Sequence, residues 1–293
     1  MGNDASTDAS RAGPGWGAIE AARRRGVTRV PFVIDGLPVG SVASTHLPAL
    51  HGLAAGLHVA ADRVVLSLDA DQRDHALADI NAALRAQGLI KAWRNETYPL
   101  VDPASLRLLA CIERASSRFW GTLTFGAHCN GWLAGADGRP ASLWIAQRAF
   151  DKATDPGAHD NLVGGGVPLG QTAFETLLRE GWEEAGLPAE VMRRATPGRA
   201  IDLLRDIPEG LQHERIQVYD LQLQPHEHPV NQDGEVHAFK LLPVADALAL
   251  AAGDTMTADA ALVTLDFALR HGLLAPAFEA ALAARSAALW QAP

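Results

Sequence analysis

The chain has 293 residues, of which 48% are hydrophobic, and a formal net charge of −9 at pH 7. At roughly 100–200 residues per domain, this length suits two domains with a sizeable core. The negative charge argues against non-specific nucleic-acid binding, and no basic stripe alternates with aromatic residues. No apolar run approaches the ~18 residues that span a bilayer. We therefore expect neither a nucleic-acid partner nor a membrane partner.

The cysteines and the first residues bear on compartment and on processing. Cys111 and Cys129 lie in no CxxC pair and beside no histidine at zinc spacing. This pattern predicts neither a disulfide framework nor a zinc site, and it fits a reducing cytoplasm. Residues 1–15, MGNDASTDASRAGPG, have no apolar core, so they predict a disordered tail rather than a secretory signal. The sequence leaves the formation of an oligomer open.

Residues 16–125 alternate helical and strand patterns, which predicts a small α/β domain. Glycines end the helical segments, and Asp35-Gly36 is a turn signal between two strands. We recognise no catalytic constellation in this part of the chain. The predicted elements are a helix at 16–26, a strand at 30–34, a strand at 61–69, a helix at 71–87 and a further helix or loop containing Cys111.

From residue 126 onward, strands separated by glycine-rich turns predominate. Asp137-Gly138 is a strong hairpin signal between the first two of them. The Ala- and Leu-rich stretch 256–290 has helical periodicity and predicts two packing helices. The predicted strands are 126–132, 142–148, 200–204, 214–223 and 235–242.

The stretch 165–187, GGVPLGQTAFETLLREGWEEAGL, carries the strongest functional signal. A glycine-rich turn opens it, and a helix follows that ends at Gly186. Because helical neighbours at i+3 and i+4 share a face, Glu180, Glu183 and Glu184 lie side by side and repel one another. We therefore expect a cation on that face, and carboxylates are hard ligands that suit Mg²⁺ or Mn²⁺.

At these positions the sequence resembles the Nudix hydrolase family, whose box reads G-x5-E-x7-R-E-U-x-E-E-x-G-U, with U aliphatic. Two positions depart from the box: Gln171 stands at its first Glu, and Gly181 stands at an aliphatic position. We expect these departures to affect the support around the site more than the metal, with Glu175 supplying some of the missing charge. The matching positions are Gly165, Arg179, Glu180, Glu183, Glu184, Gly186 and Leu187.

The resemblance implies a fold, a metal and a reaction. The fold is a Nudix α/β/α sandwich with a mixed sheet, which a smaller α/β domain precedes. The expected division is a tail at 1–15, an accessory domain at 16–125, and a Nudix domain with C-terminal helices at 126–293. Mg²⁺, or Mn²⁺, is expected to activate water for attack on a phosphorus. The metal ligands implied are Glu180, Glu183 and Glu184.

Further residues are candidates for the chemistry around this metal. Arg179 is expected to orient a box glutamate through a bidentate ion pair. Glu235 is a candidate base or extra ligand, with an exposed edge-strand residue as the alternative interpretation. Glycines let backbone approach a phosphate closely, so Gly165 and Gly166 are candidate substrate contacts. The catalytic candidates are Glu183, Glu184, Arg179 and Glu235.

Four side chains outside the metal set are candidates for binding substrate. Arg148 and Lys152 precede the box and are candidates for holding the terminal phosphate. Trp182 and Tyr219 are candidates for stacking on a heteroaromatic ring. We expect the partner to be a small-molecule diphosphate.

Segments outside the box resemble one branch of the family, which is related to the thiamin pyrophosphokinase-associated Nudix proteins. They are LWIAQR at 143–148, DNLVGGGV at 160–167, ERIQVYDLQL at 214–223 and DGEVHAF at 233–239. This resemblance implies hydrolysis of thiamin diphosphate, or of its oxidised analogues, to the monophosphate and phosphate.

Other interpretations stay open. The substrate of such a hydrolase can equally be a nucleoside diphosphate derivative, such as a dinucleotide or a nucleotide sugar. A Nudix-fold isoprenyl diphosphate isomerase would need a catalytic cysteine, for which Cys129 in AHCNGW is the candidate. A non-catalytic binding module that kept the fold is the third hypothesis.

Overall fold

The computed structural model describes residues 15–152 and 154–291. The expected disordered tail thus lies outside the described residues except for Gly15. In the first part of the chain the elements are α1 (Ala18–Ala21), β1 (Arg29–Ile34), β2 (Leu37–Ala43), α2 (Leu47–Leu50), β3 (Leu57–Val59), β4 (Val64–Leu66), α3 (Ala70–Ala86), β5 (Thr97–Val101), β6 (Leu108–Glu113) and α4 (Ser116–Trp120).

A four-stranded sheet in the order β2-β1-β4-β3 organises this part, and β5 pairs with β6 as a separate hairpin. Alternate residues of β1, Val30, Phe32 and Ile34, are buried, as expected for a strand with one face on a core. Leu77 and Ile80 on α3 share that core, since helical spacing puts them on one face.

Three predictions for this part need correction. The helix expected over 16–26 is only the four-residue α1, and the strand expected over 61–69 is reduced to β4. Cys111 lies on strand β6, which pairs antiparallel with β5, and not on a helix or loop. Trp16 and Ile19 are buried against the C-terminal helices, so α1 packs away from the four-stranded sheet.

The second part of the chain contains a larger set of strands and helices. The elements are β7 (Leu123–Ala134), β8 (Pro140–Arg148), β9 (His159–Asp160), β10 (Val163–Gly166), α5 (Ala173–Ala185), α6 (Ala189–Met192), β11 (Thr196–Ile207), β12 (Gly210–Gln222), β13 (Val236–Pro243), α7 (Val244–Ala252), α8 (Ala258–Arg270), α9 (Pro276–Ser286) and β14 (Trp290–Gln291).

These strands form one mixed sheet of eight strands, with the path β13-β8-β7-β12-β11-β14, while β10 pairs with β7 and β9 with β8. It is mixed because β7 and β12 run parallel, whereas the other pairs are antiparallel. Helices α7 and α8 bury one face of the sheet, and α5 and α6 bury the other. The result is an α/β/α sandwich. In the described part of the chain, no helix has both the length and the apolar character needed to cross a membrane.

Candidate functional site

A capping box marks the start of helix α5, and a left-handed glycine marks its end. The Thr172 hydroxyl accepts a hydrogen bond from the Glu175 N–H at 3.2 Å, and the Glu175 carboxylate accepts one from the Thr172 N–H at 2.8 Å. This capping box satisfies backbone donors at the helix start. At the other end, Gly186 adopts a left-handed φ of 61°. Glu175 is therefore engaged in the cap, and the expectation that it adds charge to the glutamate face is wrong.

The glycines of β10 allow two box carboxylates to lie against the backbone. The Gly164 N–H donates to Glu184 Oε2 at 3.0 Å. A Cβ at Gly165 would lie within 2.6 Å of Glu180 Cγ, so only glycine leaves room for that side chain. The strand thus holds Glu180 and Glu184 in place, a role that the sequence alone did not indicate for it.

Arg179 holds two glutamates rather than one. Its Nη1 donates to Glu183 Oε2 at 2.6 Å and its Nη2 to Glu180 Oε1 at 2.8 Å, so the expected bidentate pair with a single glutamate is wrong. The Gln171 amide oxygen accepts from Thr176 Oγ1 at 3.1 Å and lies 3.5 Å from Arg179 Nε. Gln171 therefore supplies an acceptor at the position of the first box Glu, without a charge.

Burial disfavours the charged forms of two of the carboxyls. Glu184 is 8% exposed, and burial raises its pKa well above the usual range, with the nearby Glu180 adding to the effect and the Gly164 N–H opposing it. Burial also raises the pKa of Glu180, against the opposing charge of Arg179. Without a cation beside them, these two carboxyls favour the protonated form, because a buried carboxylate without a counter-ion is costly.

The donor chemistry of this group fits a hard divalent cation, but the cage is not preassembled. Within residues 15–152 and 154–291, no group of three or more His, Cys, Asp or Glu side chains is arranged to hold a metal ion. Arg179 occupies Glu180 and Glu183, so these carboxylates must turn from the guanidinium toward an ion for all three glutamates to bind it.

The three glutamates face a cavity of about 960 Å³ that lies between the two parts of the chain. Helix α5 and strand β10 form one wall of this cavity. Side chains from the first part of the chain, among them Arg94, Tyr98 and Arg114, form another. The described lining contains twelve Asp or Glu and eight Lys or Arg side chains, so acidic groups are in excess.

Arg148, Lys152 and Glu235 all line the cavity, but each has a protein partner. Arg148 Nη1 donates to Asp160 Oδ2 at 2.9 Å. Lys152 pairs with Glu235, which also lies 3.9 Å from Arg94 Nη1. Burial acts to raise the pKa of Glu235, but the bond to Lys152 outweighs it and lowers the pKa. Glu235 is thus a weak base near neutral pH.

The two aromatic residues predicted to stack on a substrate do not line this cavity. Trp182 is 55% exposed, because it lies about 100° around the helix from Glu183 and turns toward solvent. Tyr219 is buried under α5, with its ring centroid 5.7 Å from that of Phe174. The structure therefore brings neither ring to the cavity. Cys129, the candidate isomerase cysteine, is fully buried in the same core.

The structure also brings in residues that the sequence did not single out. His128 on β7 lines the cavity, with its Nδ1 3.1 Å from Asn161 Oδ1. Glu214 on β12 lines it too and pairs with Arg118 at 2.8 Å. Together with Tyr98 and Arg114, these side chains come from distant strands and helices. No local motif links them, so only the tertiary fold could reveal them.

Each part of the chain matches a known protein domain. Residues 128–262 match the NUDIX domain, and residues 18–124 match a domain of unknown function, DUF4743. The expected fold class, a Nudix sandwich preceded by an α/β domain, is confirmed. Nudix enzymes generally use divalent metals such as Mg²⁺ or Mn²⁺.

Three proteins are similar to this chain in sequence or in structure. Nudix hydrolase 20, chloroplastic, of Arabidopsis thaliana is 36% identical over 207 residues, which are 70% of this chain and 55% of that protein. Nudix hydrolase 24, chloroplastic, of the same plant is 34% identical over 207 residues, 70% and 56% of the two chains. A crystal structure of DR0079 from Deinococcus radiodurans has a TM-score of 0.46 at 22% identity and covers 59% of this chain and 99% of that one. The chain spans about half the length of the two plant relatives.

Proposed function

We propose that this protein is a metal-dependent hydrolase that cleaves the diphosphate bond of a small metabolite. The observation that carries the proposal is the cavity itself, whose lining has twelve acidic side chains, three of them the box glutamates, and eight basic side chains. An anionic diphosphate would be repelled from such a lining unless cations accompanied it. A divalent metal at the glutamates supplies that charge.

Glu180, Glu183 and Glu184 would hold the metal, which we propose to be Mg²⁺, with Mn²⁺ as an alternative ion. Bound there, it would offset phosphate charge and lower the pKa of a coordinated water. In the absence of the metal, Arg179 pairs with both Glu180 and Glu183. Water attacks one phosphorus, and the bridging P–O bond breaks.

Residues beyond the metal set would contact the phosphates. Arg148 and Lys152 place positive charge on the cavity wall, where a terminal phosphate can meet it. Glu235 holds Lys152 by its ion pair, and we propose that it positions this lysine rather than acting as the base. Residues 16–125 would act as an accessory domain that covers the cavity opened by residues 126–293.

For the substrate we propose thiamin diphosphate or its oxidised analogues, hydrolysed to the monophosphate and phosphate. The support is the resemblance of four segments outside the box, including LWIAQR at 143–148 and DGEVHAF at 233–239, to the thiamin-related branch. A panel of thiamin diphosphates, nucleotide sugars and dinucleotides, followed by mass spectrometry, tests this choice. Faster turnover of a nucleotide substrate would refute the thiamin proposal and keep the hydrolase.

The Glu183→Gln substitution tests the hydrolase itself. Its side chain is 42% exposed, so the change removes a ligand and no core packing. We expect kcat with Mg²⁺ to fall by at least about 100-fold, which is roughly 2.7 kcal/mol of transition-state stabilisation. Phosphate release is measured with and without Mg²⁺, and unfolding should stay cooperative.

Glu190→Gln is the matched control, because Glu190 is an exposed glutamate on α6 that does not line the cavity. It should turn over substrate like the wild type. Near-wild-type turnover by Glu183→Gln would show that the metal assignment is wrong.

A further inference from the structure

Two hydrogen-bond donors that line the cavity are buried without a partner. Tyr98 is 3% exposed, and its hydroxyl makes no hydrogen bond to any residue that the structure describes. The same holds for Nη1 of Arg118, whose Nη2 donates to Glu214 at 2.8 Å. Buried donors without acceptors are costly and are uncommon in native proteins. Both therefore call for an acceptor that enters the cavity.

These donors belong to the first part of the chain, but they line the same cavity as the three box glutamates. Tyr98 is on β5, and its hydroxyl touches Gly166 at the end of β10, one residue beyond the glycine that abuts Glu180. A Cβ at Gly166 would also lie 3.2 Å from Arg114 Nη2. The accessory domain thus reaches across the cavity to the strand that supports the box glutamates.

Arg114 completes the group. Its Nη1 donates to Glu96 at 2.8 Å, and its guanidinium lies 5.5 Å from the centroid of the Tyr98 ring. The pair with Glu96 orients the guanidinium, while Nη2 remains beside Gly166. Burial raises the pKa of Tyr98 well above its usual value, so its hydroxyl keeps its proton and donates.

We propose that Tyr98, Arg114 and Arg118 form a subsite that binds a phosphoryl group of the substrate, so that the active site is shared by the two domains. Phosphate oxygens only accept hydrogen bonds, and guanidinium groups match their geometry. The proposal rests on the proposed diphosphate hydrolase function and assigns a substrate-binding role to the DUF4743 domain. Specificity for the phosphate that is not attacked would then come from the first part of the chain.

Binding of methylenediphosphonate, a diphosphate that cannot be hydrolysed, tests the subsite by calorimetry in the presence of Mg²⁺. Tyr98→Phe removes only the hydroxyl. We expect its affinity for the probe to fall about tenfold, as for the loss of one hydrogen bond to a charged group. The midpoint of thermal unfolding should stay level or rise, because the variant no longer buries an unpaired hydroxyl.

The chain offers a matched control, because its other tyrosine, Tyr219, does not line the cavity. Tyr219→Phe should bind the probe like the wild type. Arg114→Gln should also weaken binding by tenfold or more. Arg114→Lys should retain part of the affinity, because lysine keeps the positive charge but lacks the paired N–H donors of the guanidinium.

The outcomes separate this proposal from the proposed function. Wild-type affinity in Tyr98→Phe, no binding of the probe by the wild type, or a lowered unfolding midpoint with unchanged affinity would each overturn the subsite. Normal turnover in Glu183→Gln would overturn the metal assignment but would leave the binding result standing, since the calorimetric experiment requires no turnover.

Discussion

The contact between Gly166 and Tyr98 is a steric constraint between the two domains, and Gly166→Ala tests it. An added Cβ would overlap the Tyr98 hydroxyl and lie only 3.0 Å from Cζ of the same ring. Comfortable carbon contacts are about 3.5–4.0 Å. Strand β10 cannot move away easily, because Gly166 pairs with Gly126 of β7. Either β10 or the Tyr98 ring must therefore move, and the packing between the two domains should weaken.

The expected loss of stability follows from two opposing effects. Overpacking costs about 3 kcal/mol when neither neighbour can yield. Replacing glycine by alanine at a compatible φ stabilises the folded protein by about 0.5–1 kcal/mol, because it lowers the conformational entropy of the unfolded chain. The net destabilisation of Gly166→Ala should therefore be about 2 kcal/mol. In a Tyr98→Phe background the hydroxyl is gone, and the loss should shrink to less than about 1 kcal/mol.

Urea unfolding of the wild type, both single variants and the double variant measures this coupling, expected to be at least about 1 kcal/mol. Gly26→Ala serves as the control, because nothing lies within 4 Å of a Cβ at Gly26. It should change the free energy of unfolding by less than about 0.5 kcal/mol. Additive single effects, or a Gly166→Ala variant as stable as the wild type, would refute the assigned contact.

Two further predictions concern single buried positions. Burial acts to raise the pKa of Glu214, but the pair with Arg118 outweighs it and lowers the pKa from 4.5 to about 2. This ionised pair contributes about 3 kcal/mol to the free energy of unfolding above pH 4.5, and the contribution is lost as the pH falls toward 2. In Glu214→Gln the free energy of unfolding should therefore change less with pH over this range, which urea unfolding at several pH values measures. Gly181→Leu places an aliphatic residue where the box has one, and it should destabilise the protein by about 1–3 kcal/mol, because a Cβ at this position lies 2.7 Å from Met192. Adding Met192→Ala should recover part of the lost stability, as measured by calorimetry. A pH-independent Glu214→Gln difference, or a stable Gly181→Leu variant, would contradict these assignments.

The sequence by itself determined the box helix and the face that its carboxylates share. Thr172 and Gly186 mark the ends of α5 by local hydrogen bonds and a left-handed φ. Glu180, Glu183 and Glu184 face one cavity because helical spacing alone sets their angle around the axis. Strands with clear alternation and the hairpin turn at Asp137-Gly138 were predictable for the same reason, since each depends on residues close in the chain.

Only the tertiary structure decided what lies opposite that face. Tyr98, Arg114 and Arg118 line the same cavity as the glutamates. They do so because β7, which follows their domain, pairs parallel with β12 and also pairs with β10. Trp182 is adjacent to Glu183 in sequence yet faces solvent. Local periodicity orients a side chain about its own helix or strand, but the packing of distant segments decides what each face meets. No local pattern could therefore predict the residues that lie opposite the box glutamates.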